Sequence, residues 1–268
     1  MNSPIKYFGG KGNGLAKKII DHFPEDSNVK TYVEPFGGSG AVLFNLEKSY
    51  PVEVYNDLEE NVYSLFKVLV DKVLFNEFKK LCDIAIYSEQ LNKEYKEQLR
   101  GKDLSIVERA FMFFYVNRTS YNGTGSFTSS TVVRRNMVKQ VSDFLSSIDK
   151  LYDVHNRLSK VLVFNRDAVD LINKYDKKNT IMYLDPPYVQ STRTEARYKV
   201  DMDDEKHLDL INTLLDIKEA YVVLSGYDNE NYGILEQYGW NKYSIQIRRN
   251  SGNLKKSVLK EECLWLNY

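Results

Sequence analysis

Cysteine is nearly missing from this chain: Cys82 and Cys263 are the two in 268 residues. That excludes a disulfide framework and fits a reducing compartment. Histidine is almost as scarce, and His22, His155 and His207 fall at no ligand-like spacing, so no metal site is expected. No apolar run approaches the roughly 20 residues that a membrane span requires. The opening MNSPIKYFGGKGNG lacks the apolar core of a secretory signal, which makes a cytoplasmic protein the expectation. Repeats and low-complexity tracts are absent as well. Net charge is zero, with 37 basic and 37 acidic residues, and by itself that speaks against a nucleic-acid partner.

The distribution of charge says otherwise. From Arg109 to Ser142 there is no acid, but there are five cations: Arg109, Arg118, Arg134, Arg135 and Lys139. From Gln237 to Lys260 there is again no acid, with six cations: Lys242, Arg248, Arg249, Lys255, Lys256 and Lys260. A neutral protein with two acid-free basic stretches can still present one positive face. With 43% apolar residues the chain can bury one large core, or about one and a half domains' worth.

Thr31–Phe36 reads as a short strand, Gly37-Gly38-Ser39-Gly40 as a loop opening a helix over 41–47, and Val52–Asp57 as a second strand ending in an acid. This is the βαβ unit of a nucleotide-binding sheet. Asp57, 19 residues past Gly38, stands where a carboxylate takes ribose hydroxyls. The third glycine of the dinucleotide fingerprint is replaced by Leu43, and no Lys-Ser/Thr pair follows the loop. A nucleoside ligand without a pyrophosphate fits better than NAD or ATP, and S-adenosylmethionine is such a ligand. A similar strand, Val161–Asn165, leads to Asp167, a second carboxylate at the same edge.

The run Ile181–Leu184 is a buried strand that stops at Asp185-Pro186-Pro187-Tyr188. The two prolines stiffen the chain there. The strand end thereby offers the Asp185 carboxylate, the Pro186 carbonyl and the Tyr188 ring. Two acceptors beside a flat face suit an exocyclic amine on an aromatic base. An ordinary strand and turn would read much the same, so the neighbouring motifs decide.

Between these strands the pattern turns helical over 59–100, with a more solvated helix or linker over 89–100. Ser105 and Glu108 form the signature of a capping box, ahead of an apolar helix from Arg109 to Val116. A polar, glycine-rich loop from Asn117 to Thr128 runs on to Arg134-Arg135-Asn136, and a helix is expected over about 137–159. Such loops can contact phosphates and base edges. Further on come an expected mobile loop over 190–202 carrying Arg193, Arg197 and Tyr198, then a helix capped near Asp203. Strand Tyr221–Gly226, a helix over 229–238, and two final strands at 242–249 and 261–268 complete the chain.

Gly9-Gly10-Lys11, Glu34-Pro35-Phe36-Gly37-Gly38-Ser39-Gly40 and Asp185-Pro186-Pro187-Tyr188 occur in the order and spacing of the adenine-specific DNA methyltransferases of the Dam type. The chain resembles that family over nearly its whole length. Tyr183–Tyr188, Leu224-Ser225-Gly226-Tyr227 and Leu264-Trp265-Leu266-Asn267 resemble its phage and prophage branch. The resemblance implies an α/β fold, a Rossmann-like class I methyltransferase sheet formed by 1–57 and 161–268. It also implies a helical DNA target-recognition insert over 58–160. Tyr7, Lys11, Glu34, Phe36, Gly38, Gly40, Asp57, Asp167 and Asp185 are then expected around S-adenosylmethionine. Asp185, Pro186 and Tyr188 carry the chemistry, and Arg118, Asn122, Arg134 and Arg135 contact double-stranded DNA. Asn117–Gly123 matches the insert's N-R-x-x-Y-N-G segment, but Thr124-Gly125-Ser126 stands where the Dam proteins have a cation. That departure leaves GATC recognition unsupported.

The implied reaction moves a methyl group to the 6-amino group of an adenine flipped out of duplex DNA, in a bacterial or phage-infected cell. The enzyme would act as a monomer or weak dimer, with or without a cognate restriction endonuclease. Two rivals are an RNA or protein-amide methyltransferase and a non-enzymatic reader. The glutamine-modifying enzymes usually begin this motif with asparagine, so Asp185 and the DNA-type insert favour DNA, and the intact acids and glycine loop argue against a reader.

Overall fold

Five runs rich in β-branched and aromatic residues pair in parallel, as their burial on both faces requires. In a computed structural model describing residues 3–6, 11–187, 202–249 and 258–268, they are β1 (Thr31–Glu34), β2 (Val52–Asn56), β5 (Val161–Phe164), β6 (Thr180–Leu184) and β7 (Tyr221–Gly226). An antiparallel pair, β8 (Asn241–Arg249) and β9 (Val258–Leu266), closes one edge. The strand order is β5-β2-β1-β6-β7-β9-β8. β1 sends its connections to opposite sides, so the crevice beyond the carboxyl ends of β1 and β6 is a topological switch point, the place where such sheets bind ligands. The expected Rossmann-like α/β sheet is present.

Register assigns each side chain to a face, because alternate residues point opposite ways. Val33, Val54, Met182, Leu184, Val222, Leu224, Cys263 and Trp265 share one face and one apolar cluster. Helices α8 (Ala168–Tyr175), α9 (Asp204–Leu215) and α10 (Glu230–Gln237) contribute to it through Leu171, Leu210, Tyr232 and their neighbours. The other face holds Tyr32, Tyr55, Ile181, Tyr183, Val223 and Leu264, together with the acids Glu34, Glu53, Asp185 and Glu262. Against it pack α1 (Asn13–Ile20) and the helices of the 58–160 segment. Phe66 stacks on Tyr55 with ring centroids 4.0 Å apart, so this segment and the sheet share one core.

The segment itself contains α2 (Glu60–Val70), α3 (Lys72–Asp83), α4 (Glu89–Gln98), α5 (Ile106–Thr119), a hairpin β3–β4 (Val133–Arg134 and Met137–Val138), α6 (Lys139–Asp149) and α7 (Leu151–Leu158). α5 is central, with α2, α3, α4 and α6 packed on it. Its capping box forms as expected: Glu108 N–H donates to Ser105 Oγ at 3.2 Å, and Ser105 N–H donates to Glu108 Oε2 at 2.9 Å. Two expectations are corrected. The helix over 137–159 is two helices broken at Lys150, and its first two residues belong to the hairpin, whose turn places Arg135 and Asn136 at φ of 53° and 60°. The helix over 41–47 shrinks to a single 3-10 turn, Leu43–Asn45. Tertiary partners divert its backbone: Leu43 N–H goes to the Glu34 carboxylate at 2.7 Å, and Leu43 C=O accepts from Arg157 at 3.0 Å. No helix among the described residues is long and apolar enough to cross a membrane.

Candidate active site

A pocket opens at the switch point, lined by the loop after β1, the end of β2, the start of α8 and the Asp185-Pro186-Pro187 turn after β6. The loop is shaped by its glycines. Gly38 and Gly40 sit at φ of 50° and 65°, and a Cβ on Gly37 would stand 2.2 Å from the Tyr55 ring. Asp57 braces this loop from β2: Oδ2 accepts Gly38 N–H at 2.7 Å, and Oδ1 accepts Glu59 N–H at 2.8 Å. Burial pushes the Asp57 carboxyl up to about 6 despite those two donors. Tyr55 OH donates to Gly38 C=O at 2.6 Å and secures the same turn.

Glu34 ends β1 beneath the loop. Its Oε1 accepts Tyr32 OH at 2.5 Å and Leu43 N–H at 2.7 Å. Burial nevertheless raises it to about 8, so it is chiefly the neutral acid at pH 7. Asp185, at the end of β6, is raised to about 6, again by burial first, with Lys11 pulling down and Glu262 pushing up. Lys11 is only 3% exposed, and its ammonium lies 3.0 Å from Asp185 Oδ1 and 2.5 Å from Glu262 Oε1. The same Glu262 oxygen accepts Ser225 Oγ at 2.6 Å.

Most of the residues expected here are brought together: Lys11, Glu34, Phe36, Gly38, Asp57, Asp167, Asp185 and Pro186 all line the pocket. Asp167 also caps α8, accepting Val169 N–H at 2.8 Å. Gly40 does not line it and instead turns the chain against Phe44 and Phe66. Tyr7, Tyr188 and the 190–202 loop, apart from Met202, lie outside the described residues. Arg118, Asn122, Arg134 and Arg135 do not line the pocket. Their charge is less than the sequence suggested. Asp143, the first acid after the basic stretch, pairs with Arg134 at 2.7 Å and with Lys139 at 3.2 Å. Arg135 donates to Ser146 Oγ at 3.0 Å. Lys242, from the second basic stretch, is likewise tied to Asp228 at 2.7 Å and to Glu236 at 3.2 Å.

Sequence reasoning missed Glu262, Ser225 and Tyr183. Glu262 follows Glu261 in the strand, and alternation shows that one of the two faces inward without saying which. Among the described residues no cluster of His, Cys, Asp and Glu is placed to hold a metal.

The model of the D12 class N6 adenine-specific DNA methyltransferases matches residues 7–245, most of the chain. The chain belongs to this family. Relatives lie on both sides of the question of biological role. The type II methyltransferase M.MjaIII of Methanocaldococcus jannaschii is 27% identical over 98% of this chain and 98% of its own. The type II methyltransferase M.CviBI of Paramecium bursaria Chlorella virus NC1A is 22% identical with full coverage of both, 100% each. The DNA adenine methylase of Escherichia coli K12 is 23% identical over 84% of this chain and 80% of its own. The methyltransferase described here is therefore an adenine-specific enzyme acting on DNA.

Proposed function

We propose that the donor is S-adenosylmethionine and that Asp185 and the Pro186 carbonyl receive the adenine amine beside it. The lining chemistry supports this donor. Six acidic side chains, Glu34, Asp57, Glu59, Asp167, Asp185 and Asp209, line the pocket against three basic ones, Arg166, Lys206 and the already paired Lys11. Such a lining repels a pyrophosphate and suits a ligand carrying positive charge and hydroxyl donors. Asp57 and Asp167, at the ends of neighbouring strands, are suited to the nucleoside, and the Gly37-Gly38 backbone to the amino-acid end. When bound, this cofactor supplies an electrophilic methyl group on a sulfonium.

The chain's own part is to make a poor nucleophile good. The adenine amine shares its lone pair with the ring. Hydrogen bonds from its two N–H groups to Asp185 and the Pro186 carbonyl draw the nitrogen toward a tetrahedral shape, so the lone pair can point at the methyl carbon. Receiving the methyl group would place positive charge on that nitrogen. A fixed carboxylate is worth more to that charge than to the neutral amine, which is the condition for catalysis. The new ammonium then loses a proton, which the Asp185 carboxylate, its proton affinity raised by burial, can accept and pass to water.

The base must first leave the helix, at a few kcal/mol for unpairing and unstacking. We assign the face of a flipped adenine to Tyr188, and DNA contact to the 58–160 segment through Arg118, Asn122, Arg134 and Arg135. The observation that carries this reading is Asp185 itself, a carboxylate at the pocket with one oxygen held by a buried ammonium. Methylation-aware sequencing of DNA from cells expressing the chain tests it. N6-methyladenine at one short motif is expected, lost in Asp185→Ala. Marks that persist in that variant would remove Asp185 from the reaction.

A further inference from the structure

Glu262 has no part in the binding scheme above, yet it is held as firmly as any residue in the site. It is 2% exposed on a strand whose other described inward residues are apolar, and Leu or Met would fill its volume. A buried carboxylate is retained at a cost that only good partners offset. Here the partners are the Lys11 ammonium and the Ser225 hydroxyl, both on Oε1. Lys11 in turn reaches Asp185 Oδ1. Two carboxylates thus share one cation. Were Lys11 paired with Asp185 alone, the pair would be neutral and a weak acceptor for an amine becoming cationic. With Glu262 in place the cluster keeps one net negative charge.

We propose that Glu262 is a positioning residue: by sharing Lys11 it aligns the ammonium beside Asp185 and leaves that carboxylate with charge to stabilise the developing methylammonium. Ser225 holds the Glu262 carboxylate in place. This rests on the role given to Asp185 above. Among the described residues, the titratable groups facing Asp185 are Lys11 from the N-terminal segment, Glu262 from β9, Glu34 from β1, Tyr183 from its own strand and Tyr232 from α10. Burial raises both tyrosines, so neither ionises in the neutral range, and Glu34 is raised to about 8. That leaves the Lys11–Glu262 pair as the charged neighbours that act on Asp185 beside its burial.

The test is E262Q, read first in the donor-free protein by carbon-13 NMR titration of the Asp185 carboxyl. Removing a negative neighbour moves its midpoint to lower pH. Single-turnover methyl transfer is expected to fall roughly ten- to hundredfold, its acidic limb shifting to lower pH as well, with donor and DNA affinity nearly unchanged. E262D, which keeps the charge, recovers most of the rate. S225A, which loosens Glu262 and leaves the fold's charges intact, shifts midpoint and rate in the same direction by less, and it decides the matter if E262Q does not fold. A loss of rate without a moved midpoint, or wild-type behaviour of these variants, overturns the proposal. If Asp185→Ala also keeps its turnover, the role of Asp185 fails instead.

Discussion

The two faces of one sheet carry opposite kinds of side chain. On the face toward α8, α9 and α10, every central position is apolar: Val33, Val54, Met182, Leu184, Val222, Leu224 and Trp265. On the face toward the N-terminal segment and the 58–160 helices, the same strands present Tyr32, Glu34, Glu53, Tyr183, Asp185, Ser225 and Glu262. Each of these polar groups is buried or partly buried, and the acids are compensated in different ways. Glu53 takes a two-pronged pair from Arg157, at 2.6 and 3.0 Å. Glu34 has two neutral donors, and Asp185 and Glu262 divide Lys11. One face is built for stability, and the other exchanges stability for a site in which charge is held ready. Buried, preorganised charge is what a reaction that creates an ammonium requires.

Variants on the two faces should separate these roles. The largest effect belongs to Asp185→Ala, expected to lower turnover at least about a hundredfold, as loss of a transition-state acceptor does. Its thermal midpoint should change little, because Lys11 keeps Glu262. Leu224→Ala, on the other face and fully buried, is expected to cost about 2–5 kcal/mol of stability by opening a cavity. Denaturant melts should show that loss while turnover per folded molecule stays at the wild-type level. Equal turnover losses in both would end the distinction between the faces.

Next comes Glu34→Gln, whose effect depends on pH. Glu34 is raised to about 8 in the folded protein, so the folded state binds its proton more tightly than the unfolded chain does. Wild-type stability from this group is fully present below about pH 4.5 and is lost as pH rises through about 8. Gln keeps an acceptor for Tyr32 and Leu43 and does not titrate. The variant should match the wild type near pH 4 and exceed it by a few kcal/mol near pH 9. A variant weaker than the wild type at neutral and higher pH would show that the folded protein lowers the Glu34 carboxyl instead of raising it.

The smallest effects are expected at the DNA contacts. Arg118→Ala should reduce the slope of log affinity against log salt by about one, the share of one phosphate contact. Asp143→Asn works the other way: releasing Arg134 and Lys139 should tighten DNA binding severalfold at low salt and steepen that slope. Filter binding or fluorescence anisotropy over a salt series reads both. An unchanged slope in Asp143→Asn would place this face away from DNA.

The architecture is largely legible in the sequence. Strands that run out at Asp57, at Asp185 and shortly before Asp167, and the capping box of α5, are local patterns with local causes. Expectations failed where a local pattern met a distant partner. The segment 41–47 has helical periodicity, but Glu34 and Arg157 take the backbone groups of Leu43. The basic stretch before Ser142 lacks acids only along the chain, since Asp143 is reached by both Arg134 and Lys139 in space.

The amino-acid order by itself determined the family, the glycine loop, the acids at strand ends and the apolar alternation that builds the sheet. Period-two alternation tells which residues share a face, but not which strands become neighbours. That was settled by the packing of β9 beside β7, which brings Glu262 against Ser225 and within reach of Lys11, 251 residues away in the chain. Three ionisable groups from three segments meet there because the sheet places them on one buried face, where water no longer screens them and each must find its counter-charge in the others.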